Sequence, residues 1–381
     1  MKNLKTGRFE KHGIDVPMLG FGSMRMPRNE DGTMNYKKCE DIIDKAYANG
    51  IRYFDTAYGY CGGESEIILG KSLSKYPRES YYIADKLPSW LITSREKAEE
   101  IFEEQLKKCG VDYFDFYLLH TLEEKKWNNN ILKHGIVDFV IQKQKEGKIK
   151  YLGFSFHDRY QVFEEIINYH DWDFCQIQLN YLDTELQAGM RGYELAEKKG
   201  IPLVIMEPVK GGLLAKLPEK YESVFKSIRP DKSIASWAMR FLADKENIKV
   251  ILSGMSDDDM LFDNLDTFNN YIPLTDTDKK AIDTVATMLK QNVKNGCTQC
   301  GYCMPCPKGV NIPKIFNAWN MYGIFGEGGS SKHQWHETAQ SNALPENCIG
   351  CGKCETMCPQ SIAIRADLKR SDEEMNSWIN K

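Results

Sequence analysis

Three things are scarce in this 381-residue chain: long apolar runs, blocks of lysine and arginine, and, over the first 290 residues, cysteine. No stretch approaches the eighteen or so apolar residues of a membrane span, and Met1 to Gly7 lacks the apolar centre of a secretory leader, so the expectation is a cytoplasmic protein with no membrane partner. The 50 Lys and Arg face 54 Asp and Glu, a net charge of −4, and nowhere gather into a stripe interleaved with aromatics. A phosphate backbone finds no counter-charge there, and nucleic acid is excluded as an expected partner. What remains, 42% hydrophobic and 27% charged, is an ordinary globular composition. Only Cys39, Cys61, Cys109 and Cys175 fall in the first 290 residues, whereas eight of the twelve cysteines crowd between Cys297 and Cys358. In a reducing compartment such a cluster reads as metal binding, not as a disulfide framework. Cysteine density alone divides the chain into residues 1–285 and 286–381.

Over the long N-terminal part, short β-rich runs alternate with amphipathic stretches about eight times. After a hairpin-like opening, strands are expected at 18–22, 51–55, 81–86, 113–120, 151–156, 174–179, 203–206 and 248–252, with helices such as 36–48, 96–108, 161–169, 194–199 and 233–242 between them. Alternation of this kind implies parallel strands joined by crossovers, and eight units in about 270 residues predict an α/β fold of the (β/α)8 TIM-barrel class. A doubly wound sheet competes, but no G-x-G-x-x-G follows the first strand. In a barrel, chemistry belongs at the C-terminal ends of the strands. The polar residues there are Asp55, Lys86, His120, Ser155, His157 and Asn180, with Tyr60 in the loop after Asp55. A strand-end Asp or His taken singly is more often structural, but the combination is sharper. An ammonium beside a phenol stabilises the phenolate and lowers its pKa toward neutrality, a carboxylate holds that ammonium in place, and an imidazole orients a carbonyl oxygen.

These residues sit in phrases that resemble the aldo-keto reductase family. Phe54-Asp55-Thr56-Ala57-Tyr58-Gly59-Tyr60 is similar to the segment with the family's catalytic Asp and Tyr; Ala84-Asp85-Lys86-Leu87 to that with its Lys; and Tyr113 to His120 to that with its His. The resemblance runs from about residue 13 to 270 and implies Tyr60 as general acid and base, Lys86 as its pKa modulator, Asp55 as the partner of Lys86 and His120 as the substrate-orienting donor. It also implies a nicotinamide cofactor touching Gly22, Ser23, Met24, Asp55, Ser155, Gln176, Met206, Ser253, Gly254 and Asn264. Phe156 stands where the family commonly has Asn, and Met206 where many relatives stack an aromatic ring. Ser253 to Asn264 resembles the segment that holds the adenosine end; NADP-specific relatives carry Lys or Arg there, whereas this stretch has four Asp and neither cation. NADH is therefore expected over NADPH, against the plainer reading that three consecutive Asp open a helix.

The tail carries the more specific signal. Cys297-x2-Cys300-x2-Cys303-x2-Cys306-Pro307 is followed by Cys348-x2-Cys351-x2-Cys354-x3-Cys358-Pro359, and the second run matches the bacterial ferredoxin pattern. Zinc ribbons use two C-x2-C pairs, and a third such Cys with a Cys-Pro ending is superfluous for tetrahedral zinc. Under the two-cluster rule Cys297, Cys300, Cys303 and Cys358 share one [4Fe–4S] centre and Cys348, Cys351, Cys354 and Cys306 the other. The first run is one residue short before Cys306, and a single cluster with spare thiols is the alternative. The spacer around Ile312 to Asn320 reads as helical, which resembles helical two-cluster ferredoxin domains. Cys61 reads as an inert thiol and Cys39, Cys109 and Cys175 as packing, while Trp319, Tyr322, Phe325 and Trp335 read as a surface joining tail to barrel.

Hydride carries two electrons and a [4Fe–4S] centre takes one, so a coupled cycle calls for a flavin or a redox protein partner between them; no flavin motif is recognisable. Three readings follow: an oxidoreductase that interconverts a small carbonyl compound and its alcohol in a cycle coupled to the clusters, a plain carbonyl reductase with structural clusters, and an electron-transfer or adaptor subunit on a barrel scaffold.

Overall fold

The computed structural model describes residues 4–269, 271–297, 299, 301–326, 330–358 and 360–380. It opens with an antiparallel hairpin, β1 (Thr6–Phe9) and β2 (Ile14–Pro17). Eight parallel strands follow: β3 (Leu19–Gly22), β4 (Tyr53–Asp55), β5 (Tyr82–Pro88), β6 (Phe114–Leu122), β7 (Ile149–Phe156), β8 (Phe174–Gln178), β9 (Leu203–Met206) and β10 (Ile248–Ser253). They close in chain order, with β10 pairing back onto β3 through Ile251 and Leu19. The expected barrel is therefore the observed one. β5 and β6 each run two residues past the expected ends at Lys86 and His120.

The barrel interior is filled by Tyr53, Ala84, Phe116, Leu118, Phe174, Val204 and Val250, with Phe9 and Val16 of the hairpin in the same cluster. A Cβ at Gly7 would lie 2.3 Å from the Lys249 carbonyl oxygen, so the hairpin backbone sits directly on the start of β10. Close approach of this kind closes the N-terminal end and leaves the C-terminal end for chemistry. Outside the strands, helix α1 (Tyr36–Ala48) begins where the Asn35 side chain accepts from the Lys38 amide, and buries Cys39, Ile42, Ile43 and Ala46. Helix α2 (Ser65–Leu73) packs on α3 (Arg95–Cys109), which Ser94 caps at one end and Gly110, at φ 62°, at the other.

The chain forms two compact units: residues 1–211 with 235–275, and 212–234 with 276–381. In the second unit the helix Asp276–Lys290, which a division after residue 285 would cut, is held to the segment after Glu219–Ile228 by a two-pronged Arg229–Asp278 pair at 2.7 and 2.8 Å. Its core comprises Val310, Ile312, Ile315, Phe316, Trp319, Trp335, Ile364, Leu368, Met375 and Trp378. Trp319 and Trp335 thus belong to the second unit's own core and not to the joining surface expected for them, because the helices Ile312–Phe325 and Ile364–Ile379 need an apolar filling between them. The helical spacer is present as Ile312–Phe325 and Ser331–Gln340. Among the described residues, no helix is long and apolar enough to cross a membrane.

Candidate active site and cysteine-lined cavities

Four of the expected residues converge at the C-terminal end of the barrel. Asp55 ends β4, Tyr60 opens the short turn after it, and Lys86 and His120 project from β5 and β6. The Lys86 ammonium donates to Asp55 Oδ1 and to the Thr56 carbonyl, both at 2.6 Å, and lies 4.8 Å from the centre of the Tyr60 ring. Tyr60 meets His120 edge to face at 5.9 Å. Asp55, Lys86 and His120 are buried. Burial opposes the charge on Lys86, yet Asp55 and Tyr60 more than offset it and its pKa is raised. Burial pushes the His120 imidazole well below its usual range, with Lys86, His157 and Lys126 adding to the effect, so it is neutral.

One electrostatic expectation is corrected. Lys86 does pull the Tyr60 phenol downward, but burial outweighs it and the net direction is upward. A dry site costs a phenolate more than one ammonium, already shared with Asp55, returns.

The expected cofactor contacts divide by their hydrogen bonds. Gln176 Oε1 is buried with no partner among the described residues, while its amide nitrogen lies 3.5 Å from Met206 Sδ. Ser155 Oγ accepts from the Thr121 amide at 2.7 Å, which leaves its hydroxyl proton to give. The Ser23 hydroxyl is committed inward, donating to the Asp55 carbonyl at 2.6 Å and meeting Ser65, so it fixes the Gly22-Ser23-Met24 loop. Asn264 donates to Ser253 Oγ at 3.0 Å; Gly254 and Met24 are exposed. Asp257 accepts from the Met260 amide at the start of the helix Asp258–Asn269, the plainer role for these acids. Lys45 of α1 reaches Asp258 at 2.6 Å, a cation at this segment that local sequence does not reveal.

Other expectations resolve simply. Asn180 organises its own loop, accepting from the Leu182 and Asp183 amides. Burial raises the Cys61 thiol pKa, in keeping with an inert group. Burial also lowers His157 to about 4. Sequence reading missed Trp90, half-exposed and 5.2 Å from the His120 ring. An aromatic two residues past a strand carries no signal of its own until folding brings it, tilted at 56°, against a candidate catalytic group.

In the second unit the cysteines surround two cavities. One is lined by Cys303, Cys306, Cys348, Cys351 and Cys354 beside Pro305, Pro307 and Ile349. The other is lined by Cys297, Cys303 and Cys358 beside Ile312, Phe316 and Ile362. Cys300 lies outside the described residues.

Comparisons with known proteins bear on the family and the fold. The aldo/keto reductase family pattern matches residues 18–287, and that of a 4Fe-4S dicluster domain residues 296–363. The NADH-specific methylglyoxal reductase of Escherichia coli is 26% identical over 56% of this chain and 69% of its own length. An uncharacterized oxidoreductase of Bacillus subtilis is 24% identical over 74% and 96%. Among solved structures, the holo form of an aldo-keto reductase from Bacillus halodurans superposes with a TM-score of 0.63 at 23% identity, covering 74% of this chain and 96% of that one. With an eight-stranded barrel, the family's pattern over most of the chain and a cysteine-rich second unit, this protein belongs to the aldo/keto reductase family of oxidoreductases and carries a 4Fe-4S domain in its C-terminal part.

Proposed function

We propose that the protein interconverts a small carbonyl compound and its alcohol with a nicotinamide cofactor at the C-terminal end of the barrel, in a cycle coupled to two [4Fe–4S] clusters held by residues 286–381. The observation that carries this reading is the convergence of Asp55, Lys86, Tyr60 and His120. Tyr60 gives its proton to the carbonyl oxygen; Lys86, held by Asp55, stabilises the phenolate left behind; and neutral His120 donates an N–H to the same oxygen without competing as an acid. The nicotinamide supplies or takes the hydride. Gln176 fits that cofactor, because its orphaned Oε1 suits the N–H of a carboxamide and the Ser155 hydroxyl its oxygen. Met206 would lie against the ring of the bound cofactor, and Gly22, Ser23, Met24, Ser253, Gly254 and Asn264 would hold the remainder. NADH is favoured over NADPH: the nearby cation Lys45 is neutralised by Asp258, and the Escherichia coli relative is named as NADH-specific.

Cys297, Cys300, Cys303 and Cys358 are assigned to one cluster and Cys348, Cys351, Cys354 and Cys306 to the other, the grouping that the two cavities support. Such thiolates need a reducing compartment, consistent with the cytoplasm. Because clusters move one electron at a time, a bound flavin or a redox protein completes the coupling.

The test is the visible spectrum of protein purified without oxygen, recorded before and after NADH, together with iron analysis. About eight iron atoms per chain are expected for two cubanes, with bleaching on NADH. Aldehyde-dependent NADH oxidation without bleaching would leave a plain carbonyl reductase, and no NADH-dependent carbonyl turnover at all would refute the site.

A further inference from the structure

Two carboxyl groups that this chemistry does not use meet behind Lys86. Asp85 precedes Lys86 on β5, so its side chain leaves the strand on the opposite face, into the layer between β5 and helices α2 and α3. Glu66 enters the same layer from α2. Both are completely buried, both Glu66 oxygens are buried without a hydrogen-bond partner among the described residues, and the two carboxyl groups act directly on each other. Two carboxylates in contact in a dry layer cannot both stay charged, and a hydrogen bond between them requires a proton.

The groups facing the pair supply one full counter-charge. Lys108 of α3 lies 3.4 Å from Glu66 Oε2 and is itself shared with Glu104 at 2.8 Å. Cys109 Sγ lies 3.8 Å from Asp85 Oδ2, and burial keeps that thiol neutral. The Lys86 ammonium donates to Asp55 and acts on Asp85 only through space, while its backbone amide donates to Asp85 Oδ1 at 2.8 Å. Its carbonyl accepts from Gln105 Nε2 at 3.0 Å, and Gln105 Oε1 in turn accepts from Tyr117 at 2.6 Å.

We propose that Asp85 and Glu66 share a single proton and act as a positioning pair for Lys86, anchoring its backbone while keeping a second negative charge away from its ammonium. This rests on the reading of Tyr60 as proton donor. An extra charge on Asp85 would oppose the field that Lys86 directs at the phenol, and Asp85 is among the groups that raise the Tyr60 pKa.

The direct test is infrared spectroscopy of the intact holoprotein. A protonated-carboxyl carbonyl band is expected at neutral pH and should vanish in both Asp85→Asn and Glu66→Gln, since either variant frees the surviving acid to ionise. In carbonyl reduction, Asp85→Asn keeps an acceptor for the Lys86 amide and gains a donor to Glu66, so kcat should stay within about threefold with an unmoved pH profile. Asp85→Ala should lose about tenfold in kcat with little change in KM. Absence of the band from the wild type, its survival in both variants, or equal kinetic damage from Asn and Ala would overturn the proposal. If Asp85→Ala fails to fold, the infrared comparison of wild type with Glu66→Gln decides. A Tyr60→Phe variant that kept its turnover would refute the proposed function and leave the infrared band standing.

Discussion

At the scale of single residues, the candidate site depends on what burial does to charge. Lys86 remains an ammonium in a fully buried position because Asp55 Oδ1 and the Thr56 carbonyl satisfy it at 2.6 Å. Replacing Lys86 by Met removes the charge that counters the burial of Tyr60, and replacing Tyr60 by Phe removes the proton itself. Each variant is expected to lower carbonyl turnover by about 10²- to 10⁴-fold, measured as kcat with NADH, while cluster absorbance stays intact. His157 offers a stability readout. Its pKa falls from 6.5 to about 4 on folding, so between those values the unfolded chain binds more protons than the folded one. Stability is then full above pH 6.5 and declines as pH falls toward about 4, by up to about 3 kcal/mol. A His157→Gln variant should flatten that slope in denaturant titrations.

At the scale of elements, packing between helices holds the site's outer wall. Gly70 lies where α2 crosses the end of α3, and a Cβ there would come within 2.4 Å of the Cys109 carbonyl oxygen. Because backbone cannot swing aside as a side chain can, Gly70→Ala should cost about 1–3 kcal/mol, read as a lower melting temperature of the barrel. The layer disturbed is the one containing Glu66 and Asp85, so activity should fall along with stability. The helix expected near 36–48 is Tyr36–Ala48, where Asn35 caps it and the apolar spacing buries Cys39, Ile42 and Ile43 on one face. β5 and β6 run two residues past their expected ends, since Pro88 and Leu122 continue a ladder set by the neighbouring strand and not by local pattern.

At the scale of the whole molecule, the second unit's core touches its proposed cluster ligands: Cys297, Cys303, Cys306, Cys348, Cys354 and Cys358 pack against the cluster of Ile312, Phe316, Trp319 and Leu368. Metal binding and folding are coupled where the ligands belong to the core. Stripping iron with a chelator under anaerobic conditions is therefore expected to abolish the cooperative calorimetric transition of the second unit while the barrel transition persists. An unchanged pair of transitions would show that the cysteines do not hold the unit together.

The amino-acid sequence by itself determined the class of fold, the family and the cysteine runs, because strand–helix alternation, the Asp55–Tyr60 phrase and the Cys-x2-Cys spacing are all local patterns. The grouping of Cys306 with Cys348, Cys351 and Cys354 around one cavity was expected from a local rule, but only the fold brings residues so far apart in the chain together. Tertiary structure alone decided the direction of the Tyr60 pKa, the packing of Trp90 against His120, the reach of Lys45 to Asp258 and the meeting of Asp85 with Glu66. Each depends on burial or on contacts between separate elements, and desolvation is a property of the packed surroundings that no local pattern encodes.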